Sequence, residues 1–243
     1  MSRAVIRRFD SLASTNSAIA ADDPPHGTVY ITDCQTAGRG QRGNSWEARP
    51  GLNLTFSILL RPHTIYPAGA FAVSMLTSLS IADALSDLLN GRDVLIKWPN
   101  DIYVDDLKLC GILIENSLTS RIERSIVGIG INVNQRTFVS DAPNPVSMAT
   151  IAGHDFSLDN VLDTVISRIL SDFDAYEANP SIESLTVRYR ARQWRGSGIH
   201  RWRDNITGEI FDAAVASIAP DGMLTLDTIP PRTYAFKEVA HVL

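Results

Sequence analysis

VLIKWPNDIYVDDLKLCGILIENSLTSRIERSIVGIGINV, Val94 to Val133, reads as a succession of strands. VLIKW is β-branched and apolar, and it stops at Pro99, which has no N–H to give to a ladder. IYV and LKLCGILIEN flank Asp105-Asp106 and read as a hairpin, and SIVGIGINV is a further strand. Working outward, AVIRRFD (4–10), GTVYITDCQT (27–36) and LNLTFSILL (Leu52 to Leu60) are strand-like too. Thr36 to Gly51, rich in Gly, Arg and polar residues, is a loop. Helical spacing appears in Phe71, Met75, Leu79, Ala82, Leu85 and Leu89, closed by Asn90-Gly91. Ser14-Thr15-Asn16 suits the cap of a short helix over Ser17 to Ala21. Leu162, Val165, Ile169 and Phe173 predict a helix from Leu158 to Tyr176, and another follows from about Ile182 to Arg192. Many strands and few long helices imply an α+β domain with a mostly antiparallel sheet.

After Gly196-Ser197-Gly198 the texture changes. IHRW, EIFDAAVASI, MLTLDT and YAFKEVAHVL alternate with turn signals such as Asp221-Gly222 and Pro230-Pro231, as a small β-barrel of about 50 residues would. The 243 residues are 44% apolar and 20% charged, enough for a core without metal or disulfide staples. The net charge of −5 disfavours general binding to nucleic acid or an anionic membrane. Cys34 and Cys110 are far apart and read as two buried, reduced thiols. No apolar run resembles a signal-peptide core or approaches the roughly 20 residues of a membrane span, so the cytoplasm is the expected location.

GRGQRG, Gly38 to Gly43, fits G-x-G-x-x-G, a weak signal alone. A dinucleotide site needs a helix directly after the loop to face a pyrophosphate, yet here a strand follows. A protein-kinase reading fits the strand ending at Lys97 but lacks any HRD or DFG sequence. What remains is physical: glycines let backbone N–H groups approach an anion, and Arg39 and Arg42 bring guanidinium charge for phosphate or carboxylate. Lys97 and Lys108 sit in otherwise apolar strands, where an unpaired ammonium is costly to bury, so a pocket lip suits both. The five histidines, His26, His63, His154, His200 and His241, show no metal-ligand spacing, and no Ser-His-Asp or Cys-His arrangement is evident.

Five linked motifs together resemble the biotin–protein ligase family along nearly the whole chain. They are STN (Ser14 to Asn16), QTAGRGQRG (Gln35 to Gly43) with Trp46, KWPNDIY (from Lys97), KLCGILIE (Lys108 to Glu115) and GIGIN (Gly128 to Asn132). The resemblance implies a mixed, mostly antiparallel sheet with flanking helices, of the class II synthetase-like biotin/lipoate ligase kind, over residues 1–193. It implies a small SH3-like barrel over residues 194–243. Biotin and ATP with Mg²⁺ are the implied substrates and ion, with no bound prosthetic group. The product would be biotinyl-5'-AMP, and the acceptor a lysine of a biotin carboxyl carrier protein. Ser14, Thr15, Asn16, Gln35, Gly38, Arg39, Gly40, Gln41, Lys108 and Gly111 are the implied biotin contacts. Arg39, Arg42, Trp46, Lys97, Asn100, Asp101, Lys108 and Asn132 are the implied nucleotide contacts, with Lys108, Arg39 and Lys97 carrying the chemistry. Trp46 stays open between stacking on adenine and plain core packing, Asn132 between nucleotide contact and a bulge. Asp101 stays open between orienting Lys108 and holding Mg²⁺.

Two departures from the family pattern stand out. The chain begins in the catalytic region with no helix-turn-helix segment before it, so DNA binding is not expected. Gln41 stands where many relatives carry arginine, which implies a looser hold on the adenylate. A lipoate–protein ligase would show an Arg-Arg-x-Ser-Gly-Gly-Gly stretch that is absent here. A biotin-sensing binding module would have no use for Lys97, Asp101, Lys108 and Trp46 together. A monomer and a homodimer fit the sequence equally.

Overall fold

The computed structural model describes residues 4–38, 46–139 and 144–242. Seven strands form one sheet: β1 (Val5–Leu12), β2 (Thr28–Gln35), β3 (Leu54–Leu60), β4 (Leu95–Lys97), β5 (Asp101–Val104), β6 (Leu107–Leu118) and β7 (Ile122–Ile131). Their spatial order is β1-β2-β3-β7-β6-β5-β4. Only β1 and β2 run parallel; every other pairing in the sheet is antiparallel. The mixed, mostly antiparallel sheet is thus as expected. The turn between β5 and β6 places Asp105 in the left-handed region (φ 53°), a conformation that Asp tolerates better than most side chains.

The sheet buries its two faces against different partners because strand side chains alternate. On one face lie α2 (Phe71–Leu88), α4 (Leu158–Ala178) and α5 (Ile182–Ala191), packed on Val29, Phe56, Ile58, Ile112 and Ile129. Helix α2 is long and apolar enough to cross a membrane, but most of it is buried inside the fold. Sheet and helices enclose it, so most of its residues are buried, Ser74, Thr77, Ser78 and Ser80 among them. On the opposite face α1 (Thr15–Asp22) sets Ile19 against Tyr30, Leu59 and Ile126. Serine caps begin α1, α4 and α5: the hydroxyls of Ser14, Ser157 and Ser181 accept from the N–H of Ser17, Asn160 and Ser184.

Some details differ from the sequence reading. A helix α3 (Met148–Ala152), capped by Ser147 and ended by left-handed Gly153, was not expected; five residues are too few to show a period. EIFDAAVASI divides into β9 (Ile210–Ala213) and β10 (Val215–Ile218), because the Asp227 carboxylate captures the Ala214 N–H at 2.6 Å. Cys110 is buried, and burial pushes its thiol far up, but Cys34 is only half-buried; both are free thiols.

The C-terminal strands also include β8 (His200–Asp204), β11 (Leu224–Leu226), β12 (Arg232–Tyr234) and β13 (Val239–His241). They make two three-stranded antiparallel sheets, β10-β11-β12 and β13-β8-β9, compatible with an SH3-like unit. Trp202, Leu224 and Leu226 are buried in the same core as the large sheet. Trp98 joins the two parts: its Nε1 donates to the Gly222 carbonyl at 3.0 Å, and its ring meets Phe236 edge-on. At the β4 edge, Ile96 donates to the Arg192 carbonyl (2.8 Å) and accepts from the Trp194 N–H (2.9 Å). The chain after α5 therefore closes that edge, which would otherwise offer unpaired backbone groups.

Candidate functional site

The α1 face of β3, β7 and β6 carries polar and missing side chains where an ordinary sheet would carry apolar ones. Ser57 faces Gly128 across β3 and β7, and Gly128 faces Leu113 on β6. One step along, Gly130 pairs with Gly111. The glycines leave room for other groups. A Cβ at Gly128 would overlap the Asn16 amide, and one at Gly130 would overlap the Trp46 indole. A Cβ at Gly111 would stand 2.8 Å from Cζ3 of the same indole, and one at Gly38 2.8 Å from Gln35 Nε2. GIGIN is therefore a shallow floor, held open for what lies above it.

At one end of the floor stands a polar cradle. Gln35 Oε1 accepts from the Thr15 N–H at 2.9 Å and lies 3.3 Å from the Thr15 hydroxyl. The Ser57 hydroxyl sits 2.7 Å from Thr15 Oγ1 and 2.6 Å from Asn16 Oδ1. Asn16 Nδ2 donates to Glu115 Oε2 at 2.7 Å. Sequence reasoning found Thr15, Asn16 and Gln35 but missed Ser57 and Glu115. Ser57 sits inside a largely apolar strand, and only its register against Asn16 reveals it. Ser14 spends its hydroxyl on the α1 cap.

At the other end stand two lysines. Lys108 Nζ pairs with Asp101 Oδ2 at 2.6 Å, both side chains being between a quarter and a third exposed. Residues 144–146 hold the Lys108 backbone: its N–H donates to the Asn144 carbonyl (2.7 Å) and its carbonyl accepts from Val146 (3.0 Å). In this geometry the Asp101 carboxylate holds the Lys108 ammonium. Among the described residues, no three His, Cys, Asp or Glu side chains converge as metal ligands. Lys97 Nζ donates to the Tyr103 hydroxyl at 3.2 Å. Burial holds Lys97 below its ordinary range, against the opposing pull of Asp101, and pushes Tyr103 up to about 12.

Trp46 lies on the glycine floor, with Lys108 Nζ 6.0 Å from its ring centre. Its buried Nε1 and the buried Oδ1 of Asn132 have no hydrogen-bond partner among the described residues. Such orphans are costly and suit groups that await a ligand. Asn132 is no bulge: its N–H donates to Leu109 and its carbonyl accepts from Met148. Asn100 instead donates its amide to Ser74 on α2 at 2.8 Å, a structural engagement. Arg39, Gly40, Gln41 and Arg42 lie outside the described residues.

The flank of that loop is anchored by a group that the sequence did not disclose. Gln135 is fully buried and uses its whole amide. Its Oε1 accepts from the Arg49 N–H (2.9 Å) and Asn53 Nδ2 (2.6 Å). Its Nε2 lies 2.9 Å from both Glu47 Oε1 and the Thr137 carbonyl. Glu47 also accepts from the Val139 N–H at 3.1 Å.

Comparison with known proteins places these features in context. The family model described as "Biotin/lipoate A/B protein ligase family" matches residues 6–132. A bifunctional ligase/repressor BirA of Bacillus subtilis is 29% identical over 231 residues, covering 90% of this chain and 68% of that protein. A biotin–[acetyl-CoA-carboxylase] ligase of Mycobacterium tuberculosis is 29% identical, covering 76% of this chain and 71% of that one. Among solved structures, an Aquifex aeolicus biotin protein ligase in complex with biotin and ATP is similar with a TM-score of 0.81. It covers 98% of each chain at 24% identity, a likeness of fold.

Proposed function

Because the chain belongs to the biotin/lipoate A/B protein ligase family, we propose that it activates biotin with ATP and transfers it to a lysine of a biotin carboxyl carrier protein. The observation that carries this reading is the pairing of a polar cradle and a Lys108–Asp101 couple at opposite ends of one glycine floor. The cradle suits the biotin ureido group, which offers two N–H donors and one carbonyl acceptor. Thr15, Asn16, Ser57 and Gln35 supply groups of both kinds. Arg39 and Gly40, which follow Gln35 and Gly38 in the sequence, are assigned to the biotin carboxylate.

The chemistry runs in two steps. A biotin carboxylate oxygen attacks the α-phosphorus of ATP; the bond to the bridging oxygen breaks, and its electron pair leaves with pyrophosphate. Lys108 offsets the negative charge that gathers between carboxylate and α-phosphate, and Asp101 fixes where its ammonium stands. Lys97 faces the departing phosphates and Arg42 is assigned to the same nucleotide, while Trp46 and Asn132 offer the nucleoside an indole N–H and an amide oxygen that have no partner among the described residues. Mg²⁺ bound with ATP would add positive charge at the phosphates, and Asp101 is the carboxylate at this end of the floor that would hold it. In the second step the acceptor amine attacks the activated carbonyl, AMP leaves, and the nitrogen loses a proton. Positioning and charge carry the rate; no covalent enzyme intermediate is needed.

Residues 1–193 form the catalytic unit in this reading and 194–243 the SH3-like unit. The net charge of −5 supports a protein that does not bind nucleic acid. The cytoplasm is the assigned compartment, and the protein acts as a monomer or homodimer without a membrane.

Biotin-dependent exchange of labelled pyrophosphate into ATP tests the reading. Exchange with biotin and none with lipoate is the expected result; folded protein that gives no exchange with biotin sinks it. A smaller effect is expected at Gln41. Restoring a cation with Gln41→Arg should slow release of biotinyl-AMP about tenfold, the worth of one charged hydrogen bond. Equal release rates in a trapped-intermediate assay would remove that idea.

A further inference from the structure

Lys97 leaves the β4 edge and meets aromatic surface on two sides. Its Nζ stands 5.0 Å from the Tyr103 ring centre and 5.3 Å from that of Trp194. The two rings are 5.2 Å apart and tilted by 42°, so they form a notch around the ammonium. A lysine stem has four rotatable bonds and a point charge at its tip, so such a notch decides where the charge can stand.

Trp194 is itself held from several directions. Only 4% of it is exposed. Its N–H extends the β4 edge, and its Nε1 donates to Asp106 Oδ1 at 3.1 Å. The Arg195 guanidinium lies 4.3 Å from its ring centre. His241 of β13 meets it edge-on at 4.8 Å, and His241 lies 3.7 Å from Trp202 of β8, the two rings tilted by 31°. Trp202 is tied in turn to the Ala213 carbonyl (3.0 Å). Rings thus run in a line from the C-terminal strands to Lys97. His241 serves this line as a flat, neutral ring. Burial, with help from Lys97, Arg195 and His200, holds it down to about 3, and its Nδ1 has no partner among the described residues.

We infer that Trp194, braced by His241 and Trp202, is a positioning residue for Lys97, through which the C-terminal strands set the stance of a phosphate-facing cation. The inference rests on the proposed contact of Lys97 with the nucleotide phosphates. It assigns the C-terminal unit a task in ATP use that is separate from any contact with the acceptor.

The test uses the full chain and biotin-dependent pyrophosphate exchange, varying ATP and biotin separately. Trp194→Ala is expected to raise KM for ATP about tenfold, as loss of a desolvated cation–π contact would, with KM for biotin changed less than about twofold. Trp194→Phe should recover most of the loss. A second readout is the alkaline limb of kcat/KM for ATP. The groups facing Lys97 are Asp101 and Tyr103 of β5, Lys108 of β6, Asp106 of the turn, Arg195 and His241. Opening the notch with Trp194→Ala readmits water, so the Lys97 pKa rises and the limb moves to higher pH; a merely structural defect would leave the limb in place.

Lys97→Met separates the two levels of argument. If Lys97→Met raises KM for ATP while folded Trp194→Ala keeps both the wild-type KM and limb, the positioning inference is overturned. If Lys97→Met leaves KM for ATP untouched, the phosphate role falls and the inference falls with it. Should Trp194→Ala not fold, His241→Ala, which removes the ring bracing Trp194, makes the same comparison. An increase of about threefold in its KM for ATP supports the inference, and a wild-type value overturns it.

Discussion

Lys108→Ala is expected to slow biotin-dependent pyrophosphate exchange about 10²- to 10³-fold while the protein stays folded, the range seen when one preorganised charge-stabilising donor is removed. The reasoning is electrostatic. Carboxylate and triphosphate are both anionic, and bringing an oxygen of one to the α-phosphorus of the other concentrates charge at one place. Lys108 is the cation beside the floor whose backbone is fixed on both sides by residues 144–146 and whose ammonium is fixed by Asp101. Preorganisation of this kind is what water cannot supply. The pair is part-exposed, so its removal should hardly alter the fold. Circular dichroism and melting should match wild type. Near-normal exchange in Lys108→Ala would mean that another cation does the work. Asp101→Asn keeps a neutral acceptor near Lys108 but removes its charge, so a milder loss is expected there.

Gln135→Ala should cost about 3 kcal/mol, and hence lower Tm by about 10 °C for a chain of this size. The residue is wholly buried, and its amide satisfies the Arg49 N–H, Asn53, Glu47 and the Thr137 carbonyl at once. Truncation deletes one side chain but orphans groups on three separate stretches, and a buried polar group without a partner costs about 1–3 kcal/mol. Gln135→Glu should do no better. It keeps the acceptors, loses both donors, and sets a second carboxylate against Glu47. Thermal melting decides the matter, and a Tm within about 2 °C of wild type would show that water replaces the amide.

The two predictions mark what a sequence shows and what it hides. Lys108 stands out as a cation in an apolar strand, but its role is legible only through the resemblance that KLCGILIE carries. The caps at Ser14 and the spacing of Phe71 to Leu89 are legible by themselves: the partners lie within a few residues. Gln135 is illegible because its partners lie up to 88 residues away. Ser57 and Glu115 share that fate, being tied to Asn16 by contacts that only the register of β3, β7 and β6 creates. Trp46 shows the same limit from another side. Its sequence context left stacking and packing open. The paired glycines at 111 and 130 explain how an indole can lie on a sheet at all.

The closure of the β4 edge bears on how such a protein can be recombined. Ile96 donates to Arg192 and accepts from Trp194, so the backbone bridge straddles the junction between residues 193 and 194. A graft that exchanged the C-terminal segment at that junction would keep one half of the bridge and import a stranger for the other. The crossover point for chimaeras therefore lies further along, near Gly196 to Gly198, where the chain has finished its work for the large sheet. A donor segment joined there would inherit Trp194 from the host, and would have to supply a ring where His241 now stands.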